Sequence, residues 1–246
     1  TVTNGNDCYS LSGATYGVYS DKGCTKSVAT LTTNANGNTD TVELRASTYY
    51  VKETKAPKGF QLDKNVYTMT VKVNETTTLK VSDIPKVTDT LVELFKIDME
   101  TSKATPQGNA SLEGAEFVWK YYDGYHTKDN LPSEPTRTWT TKTIAEKDSK
   151  NEVHYITRLA DSYKVSGDSF YTQNGTICLP LGTITVEEKA APNGYLLEGA
   201  YMQAAGSSEQ IKGVYVAQIT EDGELAALNV SNQYSVSDKV IRGGVK

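Results

Sequence analysis

Three side chains in the second half of this chain have the types needed to form an amide bond: an amine at Lys96, a carboxyl at Glu188 and a carboxamide at Asn232. Each ends a row of alternating apolar residues. Ile184, Val186 and Glu188 share one phase, with Thr183, Thr185 and Glu187 in the other. Val92, Leu94 and Lys96 alternate with Glu93, Phe95 and Ile97, and Leu228, Val230 and Asn232 alternate with Asn229 and Ser231. A polar side chain that continues the apolar phase of a strand points into a core. Charge is costly there, so burial lowers the pKa of a lysine and raises that of a glutamate. A neutral lysine amine is a nucleophile. A protonated Glu188 would donate to the Asn232 carbonyl oxygen, making its carbon more electrophilic and steadying the oxyanion. The same carboxyl would carry a proton from the amine to departing ammonia. The plainer alternative is a buried ion pair beside a hydrogen-bonded amide. Strand parity alone leaves both open.

The elements that must position these groups occur twice. Glu53-Thr-Lys-Ala-Pro-Lys-Gly-Phe60 matches Glu188-Lys-Ala-Ala-Pro-Asn-Gly-Tyr195, and Leu11-Ser-Gly-Ala-Thr-Tyr16 matches Leu112-Glu-Gly-Ala-Glu-Phe117. Glu53 continues the phase of Tyr49 and Val51, and Asp83 that of Leu79 and Val81. Gly13 to Glu53 spans 40 positions and Gly114 to Glu188 spans 74, so the second unit carries 34 more. These fall within about 121–181, and a shorter insertion falls around 199–211. The counterpart of Lys96 in the first unit would lie before Thr1. The sequence therefore predicts for Glu53 and Asp83 an incomplete site whose lysine strand lies outside this chain. Lys22 and Lys26, beside Gly23, are poor substitutes.

A length of 246 residues suits two domains, and a composition rich in Thr, Val, Tyr and Gly with two His and two Trp favours strands. Asn36-Gly37 and Asp222-Gly223 read as hairpin turns, and no long segment has helical periodicity. The expectation is an all-β chain: a sandwich over 1–86 lacking its first strand, an enlarged one over 87–238, and a linker over 239–246 toward a further repeat. Net charge is −5 with no basic stripe, which argues against nucleic acid. No apolar run is long enough to span a bilayer, so no membrane contact is expected in this stretch. His126 and His154 are far apart in sequence with no ligand at metal spacing, and neither metal nor cofactor is expected. Of Cys8, Cys24 and Cys178, the first two flank a strand. A bridge between them and a pair of free thiols are both compatible with the spacing. Leu179-Pro-Leu-Gly-Thr183 looks like a sortase signal with its last two residues exchanged, but a strand follows it, so it is read as a turn.

Taken together, the Leu-x-Gly-Ala-x-aromatic segments, the Glu-x-x-Ala-Pro-x-Gly-aromatic boxes, the first-strand Lys96 and the last-strand Asn232 or Asp83 resemble the Cna B-type and SpaA-type prealbumin-like domains of Gram-positive surface adhesins and pilins. The resemblance covers both units apart from the insertions. It implies tandem immunoglobulin-like β-sandwiches in the stalk of an extracellular, cell-wall-associated protein. It also implies an isopeptide bond between Lys96 and Asn232 promoted by Glu188, with self-crosslinking as the only catalysis. The implied partners are neighbouring repeats of the same polypeptide. The aromatics of the insertion (Tyr121, Tyr122, Tyr125, His126, Trp139, Tyr155) either cover an enlarged sandwich edge or support an alternative in which the second unit binds host matrix protein or glycan.

Overall fold

The computed structural model describes residues 2–89, 92–204, 206–221 and 228–234, the side chains of 228–229 and 231–234 excepted. The expected 239–246 linker and the Asp222-Gly223 turn lie outside the described residues. The chain divides into two compact units, Thr1–Val87 and Thr88–Lys246. Both are built of β-structure, as alternation and composition predict, and among the described residues one 3-10 turn, Lys128–Asn130, is the helical element.

In the first unit β1 (Thr15–Tyr19), β2 (Ser27–Thr32), β3 (Ser47–Lys55) and β4 (Val66–Val71) form one antiparallel sheet in the order β2-β1-β3-β4. Its inner face carries Ala14, Tyr16, Val18, Tyr49 and Val51, against which Leu31, Leu44, Met69, Leu79 and Val81 pack. The row Leu79–Val81–Asp83, expected as the last strand, is extended chain without a ladder. Its apolar side chains still find the core, but no strand among the described residues offers its backbone a partner. A sheet ladder needs a neighbour whatever the side-chain pattern. Asn36-Gly37 does turn the chain, with Gly37 N–H donating to Asn34 O, yet no strand follows until Ser47.

No disulfide joins Cys8 to Cys24, which corrects the bridged alternative. Cys8 is buried ahead of β1, whereas Cys24 sits in the turn after it at φ +53°. A strand of this length holds its two ends apart by well over the ~7 Å that a disulfide tolerates between Cα atoms.

The second unit follows a two-residue strand, β5 (Val87–Thr88). Its strands are β6 (Leu94–Asp98), β7 (Glu116–Tyr122), β8 (Arg137–Lys142), β9 (Ile144–Lys147), β10 (Val153–Thr157), β11 (Lys164–Gly167), β12 (Tyr171–Gln173), β13 (Thr176–Pro180), β14 (Gly182–Ala190), β15 (Tyr195–Ala204), β16 (Ile211–Lys212), β17 (Tyr215–Ile219) and β18 (Leu228–Tyr234). One sheet runs β16-β15-β18-β6-β10-β9 and the other β11-β8-β7-β14-β17. All pairings named here are antiparallel except β18 with β6, which is parallel. Because β17 pairs with β14 and β18 with β15 and β6, the two are not the hairpin that Asp222-Gly223 suggests. The core between the sheets holds Leu94, Phe117, Trp119, Ile184, Val186 and Val230. It also holds a polar chain that crosses from sheet to sheet: Trp119 Nε1–H donates to Thr141 Oγ1 at 2.8 Å, and Thr157 Oγ1 donates to the same oxygen at 2.8 Å.

The 121–181 stretch supplies β8 to β13, and its aromatics turn inward. Tyr121, Tyr122 and Trp139 are buried, with Trp139 stacked on Phe170 and edge-on to Tyr171. Of the aromatics that suggested a binding surface, Tyr125 is the exposed one, at 39%. The insertion also explains why Thr183 and Thr185, the outer face of β14 by alternation, are buried. Thr183 Oγ1 accepts from His126 N–H and donates to Gly124 O. Leu179 and Leu181 are buried where β13 passes into β14, so the sortase-like string belongs to the core.

Candidate functional site

The two units place their box glutamates identically. Glu53 of β3 lies opposite Tyr16 of β1, and Glu188 of β14 lies opposite Phe117 of β7. A register irregularity adjoins the pair in each unit. Beyond it the backbone leaves the sheet through Ala-Pro and turns at a glycine with positive φ, Gly59 at +81° and Gly194 at +83°. Both glycines are needed for space as well as conformation: a Cβ at Gly59 would meet Cys8 O at 2.7 Å and one at Gly194 would meet Ala110 Cβ at 2.6 Å.

In the second unit the alternation Val92, Leu94, Lys96 holds, and Lys96 is 1% exposed. Its Nζ lies 2.8 Å from Glu188 Oε1, with the side chains 0% and 4% exposed. Lys96 belongs to one sheet and Glu188 to the other, so the pair spans the sandwich interior. The Phe117 ring, 5.8 Å from Nζ, forms an apolar wall. Burial pushes the Lys96 amine down to about 8, while the Glu188 carboxylate pulls it back up. At neutral pH roughly a tenth of such amines are uncharged, a far larger share than for a lysine in water.

Asn232 is in β18, whose backbone runs beside β6 with Val230 opposite Lys96 and Asn232 opposite Asp98. Its side chain lies outside the described residues. Asp98 was not singled out by sequence, although the alternation that reaches Lys96, carried one step further, lands on it. It is fully buried. Its Oδ1 accepts from Thr101 N–H and Thr101 Oγ1, and its Oδ2 from Gln107 Nε2 at 2.9 Å and the Tyr195 hydroxyl at 3.0 Å. Burial raises the Asp98 carboxyl, but these donors outweigh it and hold it below the usual carboxylate range.

In the first unit Glu53 is 1% exposed and Asp83 half-buried. Glu53 Oε2 accepts Asp63 N–H at 2.6 Å, and the Tyr16 side chain, opposite Glu53 in the ladder, draws its carboxyl down. Glu53 Oε1 and Asp83 Oδ1 are buried without a hydrogen-bond partner among the described residues. Burial, then the charge of Asp83, raises Glu53; burial, then the charge of Asp63, raises Asp83. Lys22 and Lys26 are exposed at the turn after β1 and take no part. Tyr16 is another residue the sequence reading passed over. Its signal is a tyrosine at the position where the second unit has Phe117.

Among the described residues, one other group has ligand chemistry. The carboxyl oxygens of Asp148 and Glu152 and a ring nitrogen of His154 lie within 4.8 Å of one another at an exposed hairpin. Asp148 Oδ1 is already taken by the N–H groups of Lys150 and Glu152, so the cluster is accounted for as turn structure.

Residues 3–85 match the family described as SpaA: Prealbumin-like fold domain. The match falls within the first unit and agrees with the motif resemblance, and the second unit repeats the motifs and strand pairing of the first. Over 88 residues, 32% of this chain, the sequence is 38% identical to the trypsin-resistant surface T6 protein of Streptococcus pyogenes serotype M6, and the match spans 16% of that protein. Among solved structures, the Bacillus anthracis TIE protein aligns with 92% of this chain at TM-score 0.51 and 23% identity. The alignment covers 31% of that protein and concerns the fold. A C-terminal fragment of the pilus adhesin SpaC from Lactobacillus rhamnosus GG aligns over 94% of both chains with TM-score 0.42 and 18% identity.

Proposed function

We propose that this chain is a stalk segment of a Gram-positive cell-surface adhesin or pilin, and that its second unit closes itself with an amide bond between Lys96 and Asn232. The surface role draws support from the SpaA-type domain over 3–85 and from the likeness to a streptococcal surface protein. On this reading the chain works outside the cell, its partners are neighbouring segments of the same polypeptide, and its only chemistry is performed once, upon itself.

The observation that carries the crosslink is the Lys96–Glu188 contact of 2.8 Å between side chains 0% and 4% exposed. Isolated as an ion pair, two groups at that depth are rarely worth their desolvation. As reactants they are well placed. The neutral amine of Lys96 attacks the side-chain carbonyl carbon of Asn232, and a C–N bond forms. Glu188, as the protonated acid, donates to the developing oxyanion. It then relays a proton from the attacking nitrogen to the departing one, the original C–N bond breaks, and ammonia leaves. Folding supplies the proximity, which replaces most of the cost of bringing two groups together. Unlike a disulfide, the product persists in reducing conditions.

Intact-mass spectrometry tests this directly. The wild-type chain should be lighter than its sequence by one ammonia, Glu188→Ala should restore the full mass, and a tryptic digest should yield one branched peptide joining Lys96 to Asn232. A wild-type chain of full mass would end the proposal. The ligand-binding alternative finds little support, because Tyr121, Tyr122 and Trp139 are in the core.

A further inference from the structure

We propose that the Tyr195 hydroxyl, through its hydrogen bond to Asp98, is a positioning device that sets Lys96 against Glu188, and so governs how fast the crosslink forms. The inference rests on the crosslink reading above and adds a residue to it.

Lys96 and Glu188 lie in opposite sheets, and no backbone ladder fixes one sheet against the other. Their relative placement depends on packing and on whatever ties cross the gap. The turn after β14 carries the chain from the Glu188 sheet to the Lys96 sheet, where Tyr195 begins β15. Tyr195 is buried, and its hydroxyl donates to Oδ2 of Asp98, two residues beyond Lys96 on the same face of β6. Gln107 strengthens the knot: its Nε2 donates to Asp98 Oδ2 and its N–H to the Tyr195 oxygen. Ser111 N–H donates to Asn193 O, and Gly194 rests against Ala110, so the turn is also held by the segment leading into β7. The tie thus anchors the strand of the amine to the loop that follows the carboxyl.

The first unit provides an internal contrast. There Phe60 stands at the Tyr195 position, bridging to Pro85 and packing its ring edge-on to Tyr9. It has no hydroxyl. Phe60 also shows that the turn accepts a phenylalanine, so Tyr195→Phe should remove the hydroxyl's bonds to Asp98 and Gln107 and leave the ring in place.

Loss of the tie frees the end of β6 to shift by fractions of an ångström against the turn that follows Glu188, and reactivity is steeply sensitive to such misplacement. The test uses the full chain made by cell-free synthesis and sampled over time for loss of ammonia. Tyr195→Phe should crosslink about tenfold more slowly than wild type. Stability is compared separately in Lys96→Ala, where no bond forms, with and without Tyr195→Phe. Unchanged unfolding between those two, together with slowed bond formation, supports positioning. Bond formation at the wild-type rate overturns it. A slowed rate accompanied by a matching loss of stability in the Lys96→Ala pair also overturns it, because the hydroxyl would then serve the fold alone. If the wild-type chain loses no ammonia, the crosslink reading itself fails and takes this inference with it.

Discussion

At the scale of single residues, the two units differ in what faces the box glutamate. Lys96 meets Glu188 in one, and the Tyr16 hydroxyl meets Glu53 in the other. The difference has opposite signatures in pH. For Lys96 the folded value, about 8, lies below its ordinary 10.5, so the unfolded state binds more protons between the two. In Asn232→Ala, which cannot form the bond, stability should therefore rise as pH climbs from about 8 to about 10.5, measurable as an increasing denaturation midpoint. A flat profile there would mean that the amine is not buried. Glu53 is raised by burial, so here the folded state binds more protons, and the first unit should lose stability as pH rises through and above the ordinary carboxylate range. Glu53→Gln should flatten that decline above about pH 4 in calorimetry of the first-unit transition, leaving the contribution of Asp83.

At the scale of elements, the Ala-Pro-x-Gly turn brings strand and site together, and Gly194 is its narrowest point. Gly194→Ala must place a Cβ 2.6 Å from that of Ala110 at a φ of +83°. It should destabilise the second unit by about 1–3 kcal/mol, read by chemical denaturation, whereas the same change at Gly199, with open space around it, should cost less. Much at this scale was legible in the sequence. Alternation identifies the inward rows ending at Lys96, Glu188 and Glu53, because a strand fixes side-chain direction with a period of two. It fails where burial comes from both sides. Thr183 and Thr185 look like a solvent face, and only the insertion folded over β14 makes them interior. It fails again at 79–83, where the pattern is right but the backbone lacks a neighbour. The tie between Tyr195 and Asp98 was invisible for a third reason: it joins residues 97 positions apart through a hydroxyl, and no local period encodes such a contact.

At the scale of the whole molecule, the proposed bond would join positions 96 and 232, enclosing nearly the whole second unit. Treated as a crosslink that restricts the unfolded chain, it should add roughly 5 kcal/mol to the second unit. Lys96→Ala should lower the unfolding midpoint of that unit and leave the first unit's transition where it is. Limited proteolysis should then cleave the variant within the second unit under conditions that spare the wild type.

The parallel pairing of β18 with β6 has a mechanical corollary. Two neighbouring strands that run the same way receive the chain at one pole of the unit and release it at the other. Tension along the polypeptide therefore slides them lengthwise and strains all their mutual hydrogen bonds at once, where an antiparallel pair would open one rung at a time. A covalent link between those same two strands would carry the pull straight through them, leaving the rest of the sandwich slack.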